Sequence, residues 1–130
     1  MNETQARELV AQSGRMLLSE GLTARTWGNI SCRAGSEIAI TPSGLGYENM
    51  TAEDVVMLEP ETGEWRGSRK PSSEKAIHAS AYAAFPEAGF VIHTHQTYAS
   101  ALGIAGYSSL NMTPAERQEL GGLALAEYGL

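Results

Sequence analysis

Two histidines separated by a single residue, His93 and His95, are the sharpest chemical feature of the sequence. They end an apolar run, and the pattern predicts a buried β-strand over residues 90–95. Side chains two positions apart on a strand point to the same face, so the two imidazoles are placed to share one ion. Zinc is the first choice for such a nitrogen-rich pair. The alternative is two unrelated histidines at a strand exit, and two ligands do not complete a metal site.

A second feature is the segment Pro-Ser-Ser-Glu, which ends at Glu74 and opens a predicted alanine-rich helix over residues 73–85. Ser72 or Ser73 is a natural N-cap for that helix. The free N–H groups and partial positive charge of a helix N-terminus also suit a phosphate, to which the hydroxyls would add donors. Capping alone is the simpler interpretation.

A carboxylate in the first turn of a helix usually acts as an electrostatic cap. Glu74 is also able to ligate a metal or to move a proton. His78 lies four residues further on, hence on the same helix face. On an alanine-rich helix such a histidine is more often a packing residue, so we interpret His78 as structural.

Two glycine-bearing loops are also candidates for binding an anion. Glycine lets the backbone approach a ligand closely, and successive N–H groups form a nest for an anion. Neither loop is a Walker or a Rossmann signature, and each taken alone is more often a turn. The residues of interest are Gly28, Asn29, Ser43 and Gly44.

The elements that must position these residues are mixed along the chain. Helices are predicted over residues 3–20, 73–85 and 96–102, with a further start at Thr113-Pro114. Strand hairpins are predicted over 30–40 and 55–66, and a last strand over 90–95. This order predicts a layered α/β domain with a mainly antiparallel sheet.

Taken together, the motifs Gly-Asn-x-Ser, Thr-Pro-x-Gly, Pro-Ser-Ser-Glu and His-x-His occur in an order that resembles the class II aldolase/adducin family. Known members include fuculose-phosphate aldolase and ribulose-phosphate 4-epimerase. The match runs from the first helix through His95 and fades from Gly103 onward. The resemblance implies a layered α/β/α fold. It also implies that residues 1–130 form a single domain that is truncated at its C-terminus, a little over half of a full family domain.

The resemblance also implies a role for each motif. His93 and His95 would bind a divalent metal, usually Zn²⁺, and Glu74 would serve as acid/base and as a further metal ligand. The substrate phosphate would be bound by Gly28, Asn29, Ser43, Gly44, Ser72 and Ser73. The family uses a third metal-binding histidine well beyond His95, and the chain has only three histidines, the other being His78. We therefore expect weak metal binding and little or no turnover from this chain.

The implied function is that of a zinc-dependent lyase. It would cleave a phosphorylated ketose, similar to fuculose 1-phosphate, into dihydroxyacetone phosphate and an aldehyde. A sugar-phosphate 4-epimerase or dehydratase needs the same metal and phosphate site. A non-enzymatic, adducin-like interaction module keeps the fold without the ligands, which the presence of Glu74, His93 and His95 disfavours.

Composition limits the partners. The net charge of −6 and the pI of about 5.0 disfavour nucleic-acid binding through a general positive field. No apolar run approaches the roughly 18 residues that cross a membrane, and the first residues do not resemble a signal peptide. A single cysteine, Cys32, suits a reducing compartment, so a cytoplasmic location is expected. The family resemblance implies a homo-oligomer, commonly a tetramer.

Overall fold

A computed structural model describes residues 1–121 and residue 124. The chain forms two compact units, Met1–Thr94 and His95–Leu130. The prediction of one domain over residues 1–130 stays a prediction. Among the described residues, every helix is too short or too polar to cross a membrane.

The first unit contains one sheet and two α-helices. The helices are α1 (Glu3–Ser19) and α2 (Lys75–Ala84), with a short 3₁₀ helix at Tyr47–Asn49. The strands are β1 (Asn29–Ala34), β2 (Glu37–Ile40), β3 (Val56–Leu58), β4 (Trp65–Arg66) and β5 (Phe90–His93). They form a sheet in the order β4-β3-β2-β1-β5, and every neighbouring pair is antiparallel. The predicted antiparallel hairpins, and the α/β fold class, are confirmed.

The sheet is covered by a helix on each face. Strand side chains alternate between faces, so Ile38 and Ile40 of β2 pack with Tyr82 of α2, while Ala39 between them packs in the cluster that contains α1. In β1, Ile30 joins the α1 cluster. The central strands are therefore buried on both sides, which explains their continuous apolar runs and gives the α/β/α layering.

Both ends of α1 are capped by local contacts. Asn2 and Gln5 form a reciprocal capping box at the start of the helix. At the other end, the N–H groups of Gly21 and Leu22 reach back to the carbonyls of Leu18 and Leu17, over 3.1 and 2.9 Å. This is a Schellman motif, and Gly21 adopts the positive φ of 67° that the motif requires.

The start of α2 differs from the prediction. The helix begins at Lys75, two residues after the predicted start at Ser73, and neither serine is its N-cap. The Ser72 hydroxyl instead accepts the N–H of Glu74 over 3.2 Å, in the turn before the helix. Glu74 is the N-cap residue and makes no side-chain capping bond, because its carboxylate is directed to Asn29.

The prediction of a buried strand over residues 90–95 is wrong in two respects. The strand ends at His93, and its side chains are half-buried or exposed, with Ile92 51% exposed. The reason is position: β5 lies at an edge of the described sheet and pairs with β1 alone.

The second unit contains α3 (Thr97–Ile104) and α4 (Pro114–Leu120). Gln96 caps α3 by accepting the N–H of Ala99. Thr113 and Glu116 form a capping box at α4, with proline at its first position. Both predicted helices are confirmed.

Gly14 permits the contact between α1 and the 3₁₀ helix. A Cβ on this buried glycine would lie 2.4 Å from Cδ1 of Tyr47, a ring that is itself buried. Helix propensity alone would make Gly14→Ala stabilising by about 1 kcal/mol. We expect the overlap to prevail, so that urea denaturation shows a loss of about 1–3 kcal/mol in unfolding free energy.

Gln12→Ala is the matched control, since Gln12 is exposed on the same helix. Its unfolding free energy should stay within about 0.5 kcal/mol of the unmodified chain. A stabilised Gly14→Ala variant would contradict the packing argument.

Candidate metal and proton-transfer site

The register between β1 and β5 brings His93 to the start of α2. Asn29 lies directly opposite His93 in this antiparallel pair, so their side chains share a face of the sheet. It is the face covered by α2, because Ser31, two residues after Asn29, contacts α2 through His78. His93 Nε2 lies 3.7 Å from Oε1 of Glu74, and the two side chains are 29% and 33% exposed.

His95 completes a group of three potential metal ligands. It is exposed, and it lies two residues after His93, just past the end of the first unit. One ligand atom from each of Glu74, His93 and His95 falls within 4.8 Å of the others. The predicted trio is therefore brought together, although β5 ends at His93, so regular strand alternation does not explain the position of His95.

The donor set suits a divalent cation. Two imidazole nitrogens and one carboxylate oxygen are ligands that zinc accepts, and catalytic zinc sites commonly use three protein ligands and keep one position open. Glu74 and His93 are partly exposed and His95 is exposed, so the cluster lies near the protein surface. The residues present thus fit the cation that the motifs predict.

The two oxygens of Glu74 have different surroundings. Oε2 accepts a hydrogen bond from the Asn29 side-chain amide, whereas Oε1 is the oxygen nearer His93. Asn29 is almost completely buried, so its amide offers a fixed donor. One oxygen is thereby anchored by Asn29, and the other lies on the side of His93.

His78 is fully buried one helical turn after Glu74. Its ring nitrogens contact the Ser31 hydroxyl, over 2.7 Å, and the Asn29 side-chain oxygen. Burial lowers the pKa of His78 to about 4, with a further lowering from His93 and an opposing effect from Glu74. The ring is therefore neutral at pH 7, and it is not one of the three clustered ligands, as the sequence analysis predicted.

The proposed phosphate segments from two distant parts of the chain lie side by side. Ser43 N–H donates to the Lys70 carbonyl and Ser72 N–H donates to the Thr41 carbonyl, each over 3.0 Å. Ser43, Gly44 and Ser73 are exposed, while Ser72 is buried and bonded to the N–H of Glu74. Their predicted contact with a phosphate remains a prediction.

The remaining loop residues, Gly28 and Asn29, adjoin His93. A Cβ on Gly28 would lie 2.6 Å from the His93 carbonyl oxygen, and its φ of +74° also favours glycine. The Gly28 carbonyl accepts the Tyr47 hydroxyl over 2.8 Å, and burial raises the pKa of Tyr47 to about 12, so this donor stays protonated. The Asn29 amide is engaged by Glu74 and His78, and its predicted contact with a phosphate remains a prediction.

Sequence reasoning missed the polar partners of Glu74. It assigned Asn29 to a phosphate loop, noted Ser31 only as the last residue of the Gly-Asn-x-Ser motif, and did not consider Tyr82. The sequence carried little signal for these contacts, because polar and apolar residues alternate over residues 29–33, a pattern typical of a strand with one polar face.

Comparison with known proteins identifies the family. The chain belongs to the class II aldolase and adducin family, because the profile of the Class II Aldolase and Adducin N-terminal domain matches residues 8–129. The fold and the family match thus place the chain in a class of proteins that includes the class II aldolases.

Three named proteins are similar to this chain. A 5-methylthioribulose-1-phosphate/5-deoxyribulose-1-phosphate aldolase from Rhodospirillum rubrum is 41% identical over 100 residues, 77% of this chain and 45% of the relative. The structure of an L-fuculose 1-phosphate aldolase matches with a TM-score of 0.70 and 31% identity, covering 76% of this chain and 48% of the other. YgbL from Klebsiella pneumoniae, provisionally described as an aldolase/epimerase/decarboxylase, matches with a TM-score of 0.72 and 31% identity, covering 79% and 50%. This chain spans about half the length of these relatives.

Gly28→Ala tests the close approach of the glycine loop to β5. Gly35→Ala is the matched control, since Gly35 has a φ of +67° but open space around a Cβ. The backbone change should cost about 1–2 kcal/mol of unfolding free energy in each variant. Gly28→Ala should lose about 1–3 kcal/mol more, because only it displaces the His93 carbonyl. Equal losses in urea denaturation would show that the His93 contact contributes nothing.

The lowered pKa of His78 predicts a pH dependence of stability. In the unfolded chain, His78 has a pKa near 6.5, whereas in the folded chain its pKa is about 4. Between these two values the unfolded chain therefore binds a proton at His78 that the folded chain does not bind. This contribution is complete above about pH 6.5 and is lost as the pH falls toward 4, a change of about 3 kcal/mol. His78→Gln should flatten this part of the curve. Parallel curves for the two proteins between pH 7 and 4.5 would contradict the assignment.

Proposed function

We propose that this chain carries the metal and proton-transfer site of a zinc-dependent aldolase-type lyase acting on a phosphorylated ketose. The reaction would reversibly yield dihydroxyacetone phosphate and an aldehyde. The observation that carries the proposal is the convergence of Glu74, His93 and His95 within 4.8 Å, beside loops suited to an anion. Two of the named relatives, the 5-methylthioribulose-1-phosphate/5-deoxyribulose-1-phosphate aldolase and the L-fuculose 1-phosphate aldolase, support the substrate class.

Charge determines what the site must do. Cleaving the bond between C3 and C4 leaves its electron pair on the carbon next to the ketone, delocalised onto the ketone oxygen. When bound, a divalent cation polarises that carbonyl and stabilises the negative charge that develops there. His93 and His95 would hold the cation with neutral imidazole nitrogens.

Glu74 is suited to the accompanying proton transfer. Its Oε2 is bonded to the Asn29 amide, and Oε1, which lies on the side of His93, would deliver a proton to C3 of the product, or remove it in the reverse direction. In the direction of cleavage, the C4 hydroxyl releases its proton to water as that carbon becomes the aldehyde. The exposed loop at Ser43 and Gly44, together with Ser73, would orient the substrate phosphate.

The substrate proposed here is a ketose 1-phosphate of the fuculose 1-phosphate or 5-deoxyribulose 1-phosphate type. Both leave dihydroxyacetone phosphate as one product, so the same phosphate and cation contacts serve either sugar. Assembly into a homo-oligomer is a further part of the proposal, and sedimentation velocity measures it directly.

The first test is metal binding by the chain. Competition with a fluorescent zinc chelator should show one site. Loss of one ligand in His93→Ala should weaken binding more than the roughly 10–100-fold that loss of an outer partner costs. His78→Gln is the control for removing a histidine outside the trio. Equal affinity in His93→Ala and the unmodified chain would overturn the proposed metal site.

The second test is turnover. Incubation with the two ketose 1-phosphates should release dihydroxyacetone phosphate, slowly, since the chain has only the two clustered histidines. A chelator should abolish the release, and Glu74→Gln should lower its rate by about 10²–10⁴-fold, the range for a lost acid/base group. An epimerised pentulose phosphate or a dehydrated product would contradict the aldolase assignment.

A further inference from the structure

A row of hydrogen-bonded side chains leads from α2 across β1 to Glu74 in the candidate site. Tyr82 contacts Ser31 over 2.9 Å, and Ser31 contacts Nδ1 of His78 over 2.7 Å. The other ring nitrogen of His78 contacts the Asn29 side-chain oxygen, and the Asn29 amide donates to Glu74.

The direction of these bonds follows from the chemistry of the groups. The Asn29 side-chain oxygen can only accept, so Nε2 of His78 must carry a proton and donate it. In a neutral ring Nδ1 is then bare and accepts the Ser31 hydroxyl. Ser31, having used its only proton, accepts in turn from the Tyr82 hydroxyl. Every hydrogen bond in this row is therefore donated in the direction of Glu74.

The orientation of the Asn29 amide depends on this direction. With its oxygen held by His78, the NH₂ group faces Oε2 of Glu74. A flipped amide would place its oxygen against the carboxylate and its NH₂ against the N–H of His78. Both contacts would be repulsive, so the Glu74 carboxylate and this tautomer of His78 favour the same orientation of Asn29, and His78 adds a second constraint on it.

The surroundings of these four hydrogen-bonded side chains indicate that packing alone does not require polar groups at their positions. Asn29, Ser31, His78 and Tyr82 are each at most 3% exposed, and Tyr82 packs against an apolar cluster. A buried polar group without a partner costs about 1–3 kcal/mol, so a set of them is tolerated only when every member is satisfied. No buried side-chain nitrogen or oxygen lacks a partner in the part of the chain that the structure describes. Apolar side chains of similar size would serve stability as well.

We propose that His78 is a positioning residue for the Glu74 carboxylate. Backed by Ser31 and Tyr82, it orients the Asn29 amide, which anchors Oε2 and leaves Oε1 directed toward His93. The inference rests on the proposed function, because a fixed carboxylate matters only where Glu74 binds a metal or moves a proton.

Metal affinity provides the first readout. His78→Leu keeps the bulk but removes the donor to Asn29, and should weaken zinc binding about 10–100-fold, as loss of an outer partner does. His78→Gln retains an N–H donor and should restore most of that loss. Ile40→Val is the control for damage to the same core, because Ile40 packs on Tyr82 without joining the polar chain. It should bind zinc like the unmodified chain.

Nuclear magnetic resonance of the chain without metal provides a second readout, independent of any variant's folding. The ¹⁵N shifts of His78 at pH 7 should show a protonated Nε2 and a bare Nδ1. An imidazolium, or the opposite tautomer, would overturn the proposal.

The two proposals fail in different ways. If the unmodified chain binds no zinc, the proposed function fails, while the tautomer measurement still tests the orientation of Asn29. If the unmodified chain binds zinc and His78→Leu binds it equally well, only the positioning role is overturned.

Discussion

The bond between the Asn29 amide and the Glu74 carboxylate is the contact on which the site depends. The antiparallel register of β1 and β5 places His93 opposite Asn29 on the face covered by α2, and so beside this bond. A slip of β5 by one residue would turn His93 to the other face of the sheet, while Asn29 would stay in place through the pairing of β1 with β2. The carboxylate and the imidazole would then lie on opposite sides of the sheet. The position of a potential acid/base group thus follows from strand pairing.

The two faces of the sheet serve different purposes. The α1 face is closed by apolar side chains, and Gly14 lets the Tyr47 ring pack against the helix. The α2 face combines an apolar cluster, which includes Ile38 and Ile40, with the polar row that begins at Ser31. Apolar burial holds the layers together, while the polar row requires specific partners, because an unsatisfied buried donor or acceptor is costly.

The loops around the site depend on the same framework. Tyr47 links the α1 face to the Gly28 carbonyl, and Gly28 in turn lies against the His93 carbonyl. The segment at Ser43 is tied to the segment at Ser72 through backbone bonds. Backbone bonds and close contacts thus join the glycine loops to the elements that carry Glu74 and His93.

The sequence by itself determined the order of the elements and identified the candidate site residues. Local signals predicted all five strands and three of the four α-helices of the described residues, and the start of the fourth at Thr113 was readable because capping is local chemistry. His93, His95 and Glu74 were identifiable because their residue types and motif order carry the chemistry. The metal role and the phosphate contacts themselves remain predictions.

Only the tertiary structure decided how these residues meet. The edge position of β5, the late start of α2 at Lys75, and the pairing of Asn29 with Glu74 all depend on contacts between segments far apart in sequence. Strand order and side-chain partners of this kind produce no periodic pattern in the sequence. The physical reason is that local patterns report which face of an element is buried, whereas the identity of the buried partner is set by register and packing.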